Sequence, residues 1–158
     1  MANEVALVRA AYVGGNLQFS ESGDGRLILP NVVYQVRKRL TIAEINAGAT
    51  VLPALAGFKY RMVDAAAVAV GGNVGATTGV DLMGTLTTGR KLVAFKTAGL
   101  TQSTMLRAGT ATNGVLLADG ASFTANDANT AITVIKDGSD LTTATHVDIL
   151  LSYCVDAA

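Results

Sequence analysis

The sequence predicts an all-β fold, an antiparallel β-sandwich with at most one short helix, near residues 41–47. Two observations lead to this class. Short apolar runs alternate with clusters of Gly, Asn, Asp and Thr over most of the chain, a spacing typical of sandwiches, jelly rolls and barrels. In addition, no stretch between these runs shows the helical pattern of about 10–15 residues that a parallel sheet requires.

The chain of 158 residues is long enough for one domain with its own core. We expect an arm or hairpin at residues 1–31 and a sandwich domain at residues 32–158. Charged residues make up 15% of the chain and the formal net charge is zero, whereas soluble domains usually carry about 25% charged residues. Such a weakly charged surface favours a protein that contacts copies of itself or a neighbour.

A glycine-rich turn at residues 21–25 separates two short apolar segments, Leu17–Phe19 and Arg26–Leu29. This arrangement predicts a β-hairpin. A two-stranded hairpin is marginally stable alone, so we expect it to lie on the domain or on another molecule. Pro30 then marks the boundary of the arm.

Residues 32–53 begin the predicted domain. Loose alternation from Val32 to Leu40 predicts a strand with a charged end at residues 37–39. Thr41 and Glu44 have the spacing of a capping box, which predicts a helix of one or two turns that stops near Gly48. Thr50 to Leu52 is a short strand, and Pro53 favours a strand end or a sheet edge because proline cannot donate to a ladder.

The clearest periodicity in the chain starts at Phe58, where aromatic and apolar side chains alternate with Lys59 and Arg61. One face of this strand is predicted to be buried and the other to begin wet and basic. Both faces become apolar from residue 63 to residue 70, which indicates a strand in the middle of the structure. Asp64 interrupts the buried face, and we expect it at a bulge or as an acceptor of backbone hydrogen bonds.

Six further strands are predicted in the rest of the chain. They are Val80–Leu86, Lys91–Thr97, Thr104–Arg107, Val115–Ala118, Ala131–Lys136 and His146–Val155. The last is the longest, and every second residue from Val147 to Val155 is apolar, which predicts one unbroken buried face.

The sequence contains few residues that could support catalysis. His146 and Cys154 are the only histidine and cysteine, and eight residues along one strand separate them by roughly 26 Å, too far for a dyad. One His and one Cys also cannot supply the usual four zinc ligands. We therefore predict a protein that is not an enzyme, with no catalytic residue, no cofactor and no resident metal.

Calcium is the one metal that the sequence leaves open. Two loops are rich in Asp and Asn: Asp119, Asn126, Asp127 and Asn129 in the first, and Asp137 and Asp140 in the second. Neither loop has the spacing of an EF-hand, and both residue types are ordinary turn formers. Turns are the favoured interpretation here, as they are for the glycine-rich stretches at residues 71–79 and 84–91, which lack the order of nucleotide-binding motifs.

Neither nucleic acid nor a membrane is an expected partner. The basic cluster Arg37, Lys38 and Arg39 has no aromatic residue beside it that could stack on bases, and the chain is neutral overall. No uncharged apolar stretch approaches the roughly 20 residues of a membrane span. With a single cysteine no internal disulfide can form, so we expect synthesis in a reducing compartment.

Several segments resemble small structural proteins of tailed bacteriophages, specifically the capsid decoration or cement proteins. The segments are residues 41–49, 52–54, 57–64, 118–120 and 145–151, and the similar region runs from about Val36 to residue 158. The resemblance implies a jelly-roll-like sandwich on the outside of an icosahedral phage head. It also implies a homotrimer or homodimer, with the trimer favoured, that bridges major capsid protein subunits and is made in the host cytoplasm.

The expected contacts with the capsid or with other subunits lie on the arm and on two strand faces. They are Leu17, Phe19, Leu27, Leu29, Arg37, Lys38, Arg39, Lys59 and Arg61. A head-fibre or tail-associated module that binds host-surface carbohydrate is the alternative. Sugar sites usually present exposed aromatics, and the candidates for this role are Tyr12, Tyr34 and Tyr153.

Overall fold

Two four-stranded antiparallel sheets form the body of the protein in the computed structural model, which describes residues 20–21, 27–28, 32–75, 79–84, 91–107 and 126–158. The elements are β1 Ser20–Glu21, β2 Leu27–Ile28, β3 Tyr34–Thr41, α1 Ile42–Ala47, β4 Ala49–Leu52, β5 Phe58–Val70, β6 Gly79–Met83, β7 Val93–Lys96, β8 Leu106–Arg107, β9 Ile132–Asp137 and β10 His146–Ala157. Sheet I has the order β3-β10-β5-β8, and sheet II has the order β4-β9-β6-β7. Eight strands in this order make a jelly-roll sandwich, which confirms the predicted fold class.

The predicted hairpin of the arm forms between β1 and β2. Ser20 pairs with Ile28 and Glu21 with Leu27. The first strand begins after the predicted segment Leu17–Phe19, whereas the second falls inside the predicted one. Residues Leu17, Phe19 and Leu29, and the predicted strand Val115–Ala118, lie outside the described residues.

Helix α1 connects the two sheets, because β3 belongs to sheet I and β4 to sheet II. The predicted capping box is present at the N-terminus of α1. The Thr41 amide donates to the Glu44 carboxylate at 2.7 Å, and the Glu44 amide donates to the Thr41 hydroxyl at 3.2 Å. These hydrogen bonds lower the pKa of Glu44. Ile45 is fully buried, and no helix of the described residues is long and apolar enough to cross a membrane.

The sequence predicted Asp64 at a bulge or as an acceptor of backbone hydrogen bonds, and both are found: strand β5 has a bulge beside Asp64, and the Asp64 carboxylate accepts from the Ala65 amide at 2.9 Å. Ser152 of β10 pairs with Asp64 and Tyr153 pairs with Met62, so Val63 is the extra residue. One extra residue reverses the alternation of every side chain after it. Asp64 therefore points outward rather than interrupting the buried face, which corrects the sequence interpretation.

The core lies between the sheets and is mostly aliphatic. On β10, the predicted face from Val147 to Val155 is buried at every second residue. Below the bulge, β5 contributes the small side chains of Ala65, Ala67 and Ala69. Sheet II adds the fully buried side chains of Val80, Leu82, Val93, Phe95, Ile132 and Val134.

The predicted strands of sheet II are found with shifted ends. Strand β6 ends at Met83 rather than Leu86, and β7 covers the middle of the predicted segment Lys91–Thr97. Strand β4 ends directly before Pro53 and forms the edge of its sheet. Both outcomes predicted for this proline are thus confirmed.

Candidate functional site

The outer side of sheet I carries four arginines, which we call the arginine face: Arg37 and Arg39 of β3, Arg61 of β5 and Arg107 of β8. Strand alternation places them there, because their neighbours Leu40, Tyr60, Met62 and Leu106 point into the core. Arg37 and Arg107 lie in one row across the sheet, on either side of Leu150 and Ala66. The four side chains are 53–71% exposed.

Asp148 of β10 lies between the two arginines of β3 and binds both. The Arg39 guanidinium donates two hydrogen bonds to it, at 2.7 and 2.9 Å, and the Arg37 guanidinium donates another. The Asp148 side chain is only 7% exposed. The hydrogen bonds from Arg39 and then Arg37 outweigh the effect of burial and hold the pKa of Asp148 well below its usual range.

The other two arginines are held in the same way. Arg61 donates to Asp156 at 2.7 and 3.2 Å, and this contact lowers the pKa of Asp156. Arg107 donates to Asp64 at 2.6 Å, which the bulge at Val63 has turned outward. Each arginine is therefore fixed on a rigid sheet by an aspartate of the same face.

The arginine face has unused hydrogen-bonding capacity and a surplus of positive charge. A guanidinium has five N–H donors, and the aspartates take one or two from each arginine. The four arginines and Lys59 face three carboxylates, which leaves two positive charges in excess among the described residues of this face. Chemically, the face suits a partner surface with carboxylates or carbonyl oxygens.

Lys38 lies on the opposite side of β3 from its sequence neighbours Arg37 and Arg39. It alternates with Arg37 and Arg39 and lies on the inner side of β3, with Tyr34 and Val36. The three consecutive basic residues thus serve two surfaces. Arg37 and Arg39 belong to the arginine face, and Lys38 lines a groove at the edge of the sandwich.

This groove, which we call the edge groove, lies between β3 and β4, the neighbouring edge strands of the two sheets. Helix α1 closes the gap between these edges at the Thr41 end of β3, and the groove occupies the Tyr34 end. Its volume is about 350 Å³. The lining residues are Tyr34, Gln35, Val36, Lys38, Val51, Leu52, Leu55, Tyr60, Tyr153 and Val155.

Three tyrosines form one wall of the edge groove. The rings of Tyr34 and Tyr153 stack with their centroids 5.7 Å apart, and Tyr60 meets Tyr153 edge-on at 5.4 Å. The Tyr60 hydroxyl donates to the carbonyl of Pro53. Because Tyr60 and Tyr153 are 2% and 8% exposed, most of their ring surface packs within the protein.

Of the nine predicted contact residues, five lie on described side chains of the domain. The structure brings Arg37, Arg39, Lys59 and Arg61 onto one face and puts Lys38 in the edge groove. For the arm, Leu27 lies in β2, and Leu17, Phe19 and Leu29 are outside the described residues.

His146 and Cys154 lie on the same strand, β10, as the sequence predicted. The ring Nδ1 of His146 is 3.1 Å from the Thr145 hydroxyl, and the thiol of Cys154 is buried on the outer side of sheet I, opposite Arg61 in the register. Their separation along the strand keeps the two side chains apart.

The Asp and Asn loops are occupied by structural contacts where they are described. Asn126, 3% exposed, accepts from the Tyr60 amide at 2.9 Å and donates to the Gly84 carbonyl at 2.6 Å. Asn129 accepts from the Gly57 amide. Asp140 binds Lys136. Asp119 lies outside the described part of the chain, within which no three His, Cys, Asp or Glu side chains gather as metal ligands do.

Sequence reasoning missed Arg107 and the three aspartates of the arginine face, and it missed the edge groove. Asp148 had a usable signal, since it alternates with the buried residues of β10 and therefore had to share a face with a neighbouring strand. For Arg107 and the groove no local signal exists, because both depend on which strands become neighbours.

Comparisons of the chain with protein-family models, with curated proteins and with solved structures give no match.

Proposed function

We propose that this protein is a structural virion protein that binds the outer surface of an icosahedral phage capsid and stabilises it by bridging major capsid protein subunits. The resemblance of its turn and strand segments to decoration proteins suggests the role. The observation that carries the proposal is the arginine face, a rigid and exposed donor surface built from three strands.

The arginine face suits a protein interface better than a reaction site. Interfaces are enriched in arginine because its planar, delocalised cation forms several oriented hydrogen bonds. Here each guanidinium is oriented in advance by an aspartate, so less side-chain entropy is lost on docking. A capsid subunit with carboxylates or free carbonyl groups on its outer surface is the complementary partner.

Assembly with itself belongs to the same proposal. A homotrimer is favoured and a homodimer is the alternative, with the protein on the capsid exterior after synthesis in the host cytoplasm. A symmetric oligomer offers the arginine face several times to a repeating lattice, so that weak contacts add through effective concentration.

Co-sedimentation with assembled capsids tests the proposal. Arg37→Gln combined with Arg107→Gln removes two exposed guanidinium groups from one row of the face, and we expect weaker binding and a weaker dependence on salt. Lys96→Gln removes a cation from sheet II and serves as the control. Binding that is equal for the unmodified protein, the double variant and the control contradicts a role for the arginine face.

The arm is tested separately. A chain that lacks residues 1–30 is expected to lose capsid affinity if the arm contacts the lattice, with circular dichroism to show that the domain still folds. Unchanged sedimentation of this shortened chain with capsids would remove the arm from the interface.

A carbohydrate-binding module of a head fibre or tail is the second candidate, and the tyrosines of the edge groove favour it. Sugars stack on exposed aromatic faces, and Tyr34 is the groove tyrosine with the most exposure, since Tyr60 and Tyr153 are almost buried. Glycan-array binding that disappears in Tyr34→Ala supports this candidate.

A further inference from the structure

An apolar patch lies at the centre of the arginine face. Leu150 of β10 is 38% exposed, and its alternation with the buried residues Ile149 and Leu151 turns it outward. Ala66 of β5 is its partner across the sheet. An apolar centre within a polar and charged rim is the usual anatomy of a protein interface. The face therefore offers a partner apolar contact as well as hydrogen bonds.

Two of the arginines stand on opposite sides of this patch. One row across sheet I runs from Arg37 through Leu150 and Ala66 to Arg107. Neighbouring strands are about 4.8 Å apart, so the three steps of this row separate Arg37 from Arg107 by about 14 Å. The spacing is fixed, because both residues belong to strands of one sheet.

Both arginines keep donors for a partner. Arg37 and Arg107 are the most exposed of the four, with 62% and 71% of their side chains accessible. Within the described residues each guanidinium donates one N–H to an aspartate, and a guanidinium has five. With the surplus of positive charge on this face, each of the two can accept one further carboxylate.

The distance between the arginines selects an extended partner segment. In an extended chain, residues four positions apart lie on the same side and are separated by about 13 Å, with a third residue midway between them. On a helix, residues that share a side at this range are seven or eleven positions apart, which gives about 10.5 or 16.5 Å. The extended segment matches the row, and its middle residue would lie between Leu150 and Ala66.

We propose that the arginine face binds an extended segment of a major capsid protein subunit in which two carboxylate residues stand four positions apart with a large apolar residue midway. The carboxylates accept hydrogen bonds from Arg37 and Arg107, and the apolar side chain packs on Leu150 and Ala66. The segment crosses the strands of sheet I and contacts it through side chains. This inference rests on the proposed capsid role and adds the pattern that the partner carries.

A peptide titration of the full chain, followed by NMR of the ¹⁵N-labelled protein, tests the pattern without a capsid. The probe is acetyl-Gly-Glu-Ser-Leu-Ser-Glu-Gly-amide at millimolar concentration. We expect shifts of the Leu150 and Ala66 amides and of the Nε–H groups of Arg37 and Arg107. One control peptide has serine for leucine and another has its glutamates two positions apart, and both should bind about tenfold more weakly. Shifts outside the face alone, or equal binding of the three peptides, would overturn the proposal.

Co-sedimentation with assembled capsids tests the apolar centre. Leu150→Thr should weaken binding about tenfold, with circular dichroism to show that the protein is folded. Ile135→Thr is the matched control, because Ile135 is 39% exposed and lies on β9, the second strand of sheet II, and it should bind as the unmodified protein does.

The outcomes separate this inference from the proposed function. If the Arg37→Gln and Arg107→Gln double variant loses capsid binding but Leu150→Thr binds as well as Ile135→Thr, only the present inference is overturned. If the unmodified protein does not bind capsids, both proposals are overturned. A change of oligomeric mass in Leu150→Thr with unchanged capsid binding would assign the face to a second copy of the chain and would also overturn the inference.

Discussion

Asp148→Asn is expected to destabilise the protein by about 2 kcal/mol at pH 7. Hydrogen bonds to a charged group are worth about 1.5–3 kcal/mol when sheltered, and exposed ion pairs about 0.2–1 kcal/mol. Asp148 lies between these limits, because its own side chain is 7% exposed whereas Arg37 and Arg39 are 62% and 53% exposed. For a chain of this size the loss corresponds to a decrease in Tm of about 4–8 °C.

The stability cost of Asp148→Asn is expected to depend on pH. The pKa of Asp148 is lowered in the folded protein, so its stabilisation is present above the unfolded pKa of about 3.9 and is lost as the pH falls toward the folded pKa. At pH 3 this linkage removes about 1.3 kcal/mol from the unmodified protein. The amide of the Asp148→Asn variant does not titrate in this range. At pH 3 the free energies of unfolding of the two proteins should therefore differ by only about 0.7 kcal/mol.

Urea unfolding at pH 7 and pH 3 measures both quantities. Asp156→Asn is the matched control, because it makes the same change on the same face of β10 at a more exposed pair, 29% and 55% exposed, and should cost about 0.5 kcal/mol. The role given to the two arginines is refuted if Asp148→Asn loses no more stability than the control. It is also refuted if the gap in unfolding free energy between Asp148→Asn and the unmodified protein is as large at pH 3 as at pH 7.

Three further outcomes are expected in the same assay. Gly71→Ala should destabilise the protein more than Gly57→Ala. Both glycines have φ near +80°, but of the two only Gly71 would place a Cβ against a side chain, 2.5 Å from the Thr145 hydroxyl. Equal losses of stability in the two variants would contradict a steric clash at Gly71. Asn126→Ala should cost about 2–3 kcal/mol by leaving a buried amide and a buried carbonyl unpaired, and a neutral result would mean that water replaces the side chain. Lys91→Met should cost about 3 kcal/mol at pH 7 by removing the cation from buried Asp81. Burial raises the pKa of Asp81, so protonation should recover part of that loss as the pH falls, and a loss that grows toward acid pH would contradict this assignment.

The capping box and the long strands could be predicted from sequence because their causes are local. Thr41 and Glu44 satisfy each other's backbone amides within one turn, so their spacing alone locates the start of α1. Strand β5 was predicted from Phe58 to Val70 and is found with these bounds. In both cases the determining contacts join residues close in sequence, or follow from which side chains avoid water.

The arrangement of the strands was not available from such patterns. Alternation identifies a buried face but does not say which strand lies beside it, so the row that joins Arg37 to Arg107 appears only when β10 and β5 pair between their strands. The bulge at Val63 shows the same limit. Its neighbourhood was predicted from Asp64, but the side to which Asp64 turns depends on the register with β10.

The sequence by itself determined the all-β class, the short capped helix, the hairpin in the arm and the basic side of two strands, because burial, alternation and capping act within a few residues. Tertiary structure decided the jelly-roll order, the pairing of each arginine with an aspartate and the edge groove between β3 and β4. These features join residues far apart in the chain, such as Arg39 with Asp148, and the free energy of such contacts depends on how the whole sandwich packs.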